Sequence, residues 1–186
     1  MNTKRSVINN FLWRFLERCG AQGVALIVSV VLGRLLGPSV YGTVALVNVF
    51  MVILQVFVDS GMGNALIQKK DADDLDFSSV FWFNMAMCSL LYLIMFIAAP
   101  FIASFYKLPE LTPVIRVLSL MLIIAGLKNV QQAYVSRNMM FKIFFFSTLG
   151  GTVTAAAVGI ALACMGWGVW ALAAQMLVNA AVDTAI

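Results

Sequence analysis

The chain has 186 residues, of which 62% are hydrophobic and only 11% charged. That charged share is about half that of a typical soluble domain, and too little to cover a water-facing surface. Its net charge of +4 carries no nucleic-acid signal in such a chain; it is read instead by side of a membrane.

The first predicted element runs over about 11–33 and opens with charges: Arg14, Glu17 and Arg18 stand just before CGAQGVALIVSVVLG. A cleavable leader would use Lys4 and Arg5 as its basic region, but the charges at 14, 17 and 18 interrupt the segment and no convincing small-x-small site follows. It reads as a retained helix. Four more uncharged or nearly uncharged segments follow. Positions 35–58 are uncharged for 24 residues and hold a second helix at about 39–59. Positions 77–106 are uncharged for 30 and hold a third at 78–104. A fourth, 111–128, contains Arg116. Positions 143–182 are uncharged for 40 and are broken by GWG at 166–168. Because a span needs about 20 residues, that last run holds two helices, 143–165 and 168–186. The fold class is therefore all-α, a polytopic membrane protein of about six spans, since irregular backbone facing lipid would leave its polar groups unpaired.

With six spans, Lys4, Arg5, Lys69, Lys70, Lys128, Arg137 and Lys142 share one side, against Arg34 and Lys107 on the other. The positive-inside rule places both termini in the cytoplasm. QKKDADDLD at 68–76 reads as a solvated cytoplasmic loop; its aspartates do not follow a calcium-loop pattern. Trp13 and Trp82 fall near cytoplasmic ends, and Tyr41, Tyr106, Trp167 and Trp170 near outer ends, as interfacial aromatics do.

Polar residues inside the spans fall on edges. Arg14, Arg18, Gln22 and Ser29 share a sector of about 80° on the first helix, and Asn48, Gln55 and Asp59 one of about 40° on the second. Such edges face a bundle interior or a watery cavity rather than lipid. Arg14 and Arg18 either snorkel to headgroups or face a substrate; Glu17 pairs with an arginine or a neighbouring helix, and Asp59 with an arginine of the first helix. On the fifth span Gly151, Ala155, Gly159 and Ala163 repeat every four residues, a face for close helix approach. Cys19, Cys88 and Cys164 suit neither a zinc site nor a disulfide framework and read as small packing residues. No catalytic constellation, metal site or cofactor motif emerges, so the chain reads as a non-enzyme.

Four stretches carry a family likeness. LGRLLGPSVYGTVAL at 32–46 resembles the first outer hairpin of bacterial polysaccharide flippases. DSGMGNALIQKKDADDLDFSSVFWFN at 59–84 resembles the family's link between the second and third helices. LPELTPVIRVLSL at 108–120 resembles the start of its fourth helix, and QQAYVSRNMMFK at 131–142 its polar linker before the fifth. The family is the Wzx-type oligosaccharide flippases of the multidrug/oligosaccharidyl-lipid/polysaccharide exporter superfamily. The resemblance implies one six-helix lobe of a two-lobe transporter, an N-terminal half whose second lobe is absent from this chain. It implies a bacterial inner-membrane protein that moves undecaprenyl-pyrophosphate-linked oligosaccharide, destined for O-antigen, capsule or exopolysaccharide, by alternating access through a cationic cavity. Its partners would be the lipid-linked oligosaccharide, membrane lipids and other polysaccharide assembly proteins. Substrate contacts would come from Arg14, Arg18, Gln22, Arg34, Asn48, Gln55 and Arg116, with Glu17 and Asp59 in ion pairing or coupling. The alternatives are a cation-coupled multidrug exporter of the same superfamily, and a membrane-embedded enzyme or scaffold of polysaccharide assembly.

Overall fold

The computed structural model describes residues 3–58, 74–137 and 141–185; Asp59 and the 68–73 part of the polar loop lie outside them. Every element among these residues is helical. The run Thr3–Val58 is helical throughout except at Gly37, where φ is 76° and ψ 168°. That backbone conformation is essentially reserved for glycine. It divides the run into α1 (3–36) and α2 (38–58), and Pro38 starts α2 where its missing N–H costs nothing. The elements that follow are α3 (Asp74–Phe105), α4 (Leu111–Leu118), α5 (Leu120–Arg137), α6 (Phe141–Cys164) and α7 (Val169–Ala185).

Helices α1 and α2 fold back on one another as an antiparallel hairpin. The Tyr41 hydroxyl of α2 donates to the Ser29 carbonyl of α1 at 3.2 Å, which fixes the first hairpin. Helix α3 ends on Lys107 in a left-handed conformation (φ 56°), with Leu108 N bonded to Ala103 O at 3.0 Å and Lys107 N to Ser104 O at 3.1 Å. This is a Schellman cap with lysine where glycine is usual. Helix α6 ends the same way on Gly166, with Trp167 N bonded to Leu162 O and Gly166 N to Ala163 O. Helices α4 and α5 form one rod: Ser119 between them keeps right-handed helical dihedrals, and its hydroxyl donates back to the Ile115 carbonyl at 2.6 Å.

The segments long and apolar enough to cross a bilayer are Arg18–Val58, Phe77–Phe105, Leu111–Val135 and Ile143–Cys164, and Val169–Ala185 is a shorter apolar helix. Divided at Gly37, the first gives two pieces of about 20 residues, each about 30 Å long, a bilayer core's thickness. Large apolar side chains point outward along the helices, among them Leu26 and Ile27 on α1, Val52 and Val56 on α2, and Leu93 and Ile97 on α3. In water such a surface would drive aggregation; in lipid it is the solvated face. The protein is an all-α polytopic membrane protein. Trp82, Trp167 and Trp170 are exposed, as interfacial aromatics should be. Tyr41 instead turns inward onto Ser29, because the kink at Gly37 folds α2 back along α1.

Two cores hold the bundle. One joins α2, α3, α4, α5 and α7 around Val47, Met95, Ile115, Leu118 and Ala173. The other joins α1, α2, α6 and α7 around Val28, Leu32, Val44, Ala156 and Leu172. Across α3 and α5, the Asn84 side chain donates to the Gly126 carbonyl at 3.0 Å, and Phe77 meets Tyr134 edge to face. Across α2 and α5, Asn129 donates to the Val58 carbonyl at 3.1 Å, satisfying a free carbonyl at the end of α2. The small-residue stripe of α6 faces α7: a Cβ at Gly151 would stand 3.0 Å from Asn179 Oδ1, and one at Gly159 3.0 Å from Gln175 Cβ. Of the cysteines only Cys88 is buried; Cys19 and Cys164 lie on the outer surface, which corrects their reading as packing residues.

The expected polar connection at 128–142 is helical as far as Arg137. Within it Lys128 forms an ion pair with Asp183 of α7. Helix α3 likewise begins at Asp74, four residues before the expected span.

Candidate functional site

A cavity of about 640 Å³ lies between the α1–α2 hairpin and the α6–α7 hairpin. Its α1–α2 wall presents Gln22, Ser29, Tyr41 and Asn48. Its α6–α7 wall presents Thr148, Thr152, Gln175 and Asn179. Val28, Val44, Leu172 and Met176 supply apolar surface between them. Among the described residues no charged side chain lines it. Its described lining is therefore uncharged and rich in amides and hydroxyls.

Those arginines are distributed otherwise. Arg18 is exposed and sits one turn of α1 from Gln22, on the same side of the helix and beyond the cavity's lining. Arg14 and Glu17 belong to the same helix, but their side chains lie outside the described residues. Arg34 is exposed near the Gly37 turn and does not line the cavity. Gln55 is half-buried on α2 and does not reach it either. Arg116 is on the other side of the bundle, its guanidinium 4.2 Å over the Phe96 ring and its Nε buried with no hydrogen-bond partner. The structure thus brings Gln22 and Asn48 together with Ser29, and leaves Arg34, Gln55 and Arg116 outside this lining.

Several polar residues escaped the sequence reading. Gln175, Asn179 and Asp183 recur every four residues on α7, within about 80° of one another. Within a run scored only for charge, that spacing was the available signal. Asp183 closes the row. Its carboxylate pairs with Lys128, and the Ser147 hydroxyl lies within hydrogen-bonding reach of both its carboxylate and its carbonyl. Thr148 donates to it at 3.4 Å. The cluster stands between the cavity and a second hollow of about 540 Å³, lined by Phe77, Lys128, Tyr134, Phe144, Ser147 and Asp183 among others. Thr148 and Asn179 face the cavity; Ser147 and Asp183 face the second hollow.

Among the described residues no group of histidine, cysteine or acidic side chains could hold a metal ion. The chain contains no histidine at all.

Comparison with known proteins gives this architecture its relatives. A family model described as "Polysaccharide biosynthesis protein" matches residues 31–186. The succinoglycan biosynthesis transport protein ExoT of Rhizobium meliloti is 27% identical over 178 residues, 96% of this chain and 36% of that protein. The lipopolysaccharide biosynthesis protein WzxC of Escherichia coli is 23% identical over 187 residues, all of this chain and 37% of that protein. The teichuronic acid biosynthesis protein TuaB of Bacillus subtilis is 33% identical over 102 residues, 53% of this chain and 21% of that protein. No solved structure matches significantly. The chain spans roughly a third of the length of the relatives that cover it most fully. With the family model covering most of its length, and a multi-pass apolar helical bundle to match, the chain belongs to the polysaccharide biosynthesis protein family of Wzx-type flippases.

Proposed function

We propose that this chain forms one six-span lobe of a flippase that carries an undecaprenyl-pyrophosphate-linked oligosaccharide across the bacterial inner membrane for surface polysaccharide assembly. A diphosphate and a cluster of sugar hydroxyls cannot cross hydrocarbon without a large desolvation penalty. A bundle that is apolar outside and hydrogen-bonding inside lowers that penalty while the lipid tail remains in the bilayer. The observation that carries the reading is the cavity itself, which places amides and hydroxyls of four helices inside a lipid-facing bundle.

In this reading the N-terminal ends of α1 and α3 and the C-terminal ends of α2, α5 and α7 face the cytoplasm, the side that the basic residues select. Arg14 and Arg18 receive the diphosphate there, since guanidinium groups stay charged and grip phosphate oxygens in a fork. Glu17 orients one of them and Asp59 acts in ion pairing. Arg34, at the opposite end of α1, meets the diphosphate on the outer side. Alternating access rocks this lobe against a second one. A cation-coupled drug exporter would want an unmatched acid in the cavity. Among the described residues the acid beside it, Asp183, is already matched by Lys128, which favours the flippase.

The test is Arg14→Gln with Arg18→Gln in the full-length protein. Delivery of lipid-linked sugar to the outer face, at equal protein level, falls about tenfold or more, the loss of one or two charge-assisted contacts. Unchanged delivery removes the proposal.

A further inference from the structure

Two groups of amides in this bundle differ in what they bond. Asn84 and Asn129 join helices, and each is spent on a backbone carbonyl, Gly126 and Val58 respectively. Gln22, Asn48, Gln175 and Asn179 line the cavity, and among the described residues their side chains make no hydrogen bond. Each carries two donors and an acceptor with two lone pairs. Gln22, Asn48 and Asn179 are exposed and Gln175 is half-buried in this half-open hollow, so the donors and acceptors of all four, from three helices, are available to whatever enters it.

Their chemistry narrows what that is. Amides and hydroxyls offer donors and acceptors in like number and no formal charge, which matches the hydroxyls of a sugar, each a donor and an acceptor at once. A diphosphate, an acceptor only, would leave the amide oxygens facing like charge. Val28, Val44, Leu172 and Met176 provide apolar surface for the C–H faces of a ring. The volume of about 640 Å³ lies within the range of small-molecule sites. Arg18, one turn beyond Gln22, stands where a group attached to the ring and bearing negative charge would lie.

We propose that this cavity is the glycan subsite, in which Gln175 and Asn179 of α7 read sugar hydroxyls while Arg18 of α1, one turn beyond Gln22, holds the diphosphate. The assignment rests on the flippase reading and adds to it a division of labour: α1 binds the charge common to every lipid-linked donor, and α7 discriminates by sugar. The stem of Gln175 also fills the space left by Gly159, so its amide is fixed relative to the wall.

The experiment compares binding of two probes to the full-length protein in nanodiscs: undecaprenyl diphosphate alone, and the same lipid carrying one glucose or one galactose. The wild type holds a sugar-bearing probe about tenfold more tightly than the bare lipid, the effect of one or two neutral hydrogen bonds. Gln175→Met, which keeps the stem against Gly159, combined with Asn179→Ala abolishes that ratio and leaves bare-lipid binding unchanged. Arg18→Gln weakens both probes alike and preserves the ratio. Gln22→Leu, on the opposite wall, lowers the ratio without touching the α6–α7 contact. A wild-type ratio of one, or a ratio that survives both the α7 and the α1 amide substitutions, overturns the proposal and makes these amides contacts to another part of the full-length protein. Failure of the wild type to bind either lipid sinks the flippase reading itself.

Discussion

The crossing of α3 and α5 gives a sharp test of the packing. A methyl group placed at Gly126 would stand 2.8 Å from Cys88 Sγ, 3.2 Å from Cys88 Cβ and 3.8 Å from the Asn84 carbonyl oxygen. Carbon atoms in contact prefer about 3.5–4.0 Å, so the first two distances are too short. Cys88 is completely buried. Gly126→Ala must therefore push the helices apart by several tenths of an ångström or more, and the Asn84-to-Gly126 hydrogen bond stretches from 3.0 Å. Overpacking costs about 1–3 kcal/mol and an interhelical hydrogen bond in a membrane protein about 0.6–1.7 kcal/mol, for a total of about 2–5 kcal/mol. Adding Cys88→Ala removes the sulfur but leaves a methyl–methyl contact at 3.2 Å, so rescue is partial. A double-mutant cycle, read from reversible unfolding of the full-length protein in mixed micelles, returns a favourable coupling of about 1 kcal/mol or more. A neutral Gly126→Ala, or a Cys88→Ala background that gives no relief, refutes this account of the crossing.

Three further outcomes are expected. Gly37→Ala forces a side chain into φ 76°, ψ 168° and lowers stability by about 1–3 kcal/mol, whereas Gly42→Ala, with open space around its Cβ, is close to neutral in the same unfolding assay. Lys128→Met strands the Asp183 carboxylate, whose side chain is only 12% exposed, and costs about 2 kcal/mol; Asp183→Asn leaves an acceptor for Ser147 and lets the 31%-exposed Lys128 turn to water, at about 1 kcal/mol. The double variant then costs less than the two singles together. In detergent, a membrane-permeant maleimide labels Cys19 and Cys164 but leaves Cys88 unmodified until unfolding, read residue by residue by mass spectrometry.

What the sequence made legible was whatever is periodic along one helix. The long uncharged runs mark where α2, α3, α6 and α7 lie, because lipid exposure demands continuity of apolar residues. The four-residue repeat of Gly151, Ala155, Gly159 and Ala163 announces a close contact, and α7 supplies its partner. Gln22, Ser29 and Asn48 share polar edges and meet in one cavity. What escaped depends on pairs distant in sequence. Lys128 looked like the end of a span, since its partner Asp183 is 55 residues away. Tyr41 looked like an interfacial aromatic, since its inward turn follows from a single glycine dihedral at 37. Arg116 looked like a residue on the transport path, yet the ring beneath it, Phe96, belongs to a helix that a reading of α4 alone cannot place. The α7 row was in the sequence but hidden, because neutral amides do not interrupt a run defined by charge.

The seam between α6 and α7 constrains how the protein can move. At the glycines of α6 the side chains of α7 are seated directly against backbone, Asn179 at Gly151 and the Gln175 stem at Gly159, so sliding would drive them into the next turn of α6. These two helices therefore travel as a single plate, and Gln175 and Asn179 keep fixed positions relative to Thr148 and Thr152 throughout any cycle. Widening or narrowing of the chamber falls to the facing α1–α2 pair, which turns at the Gly37–Pro38 corner and is tied across it by Tyr41 on Ser29. One side is the anvil; the other is the hinged jaw.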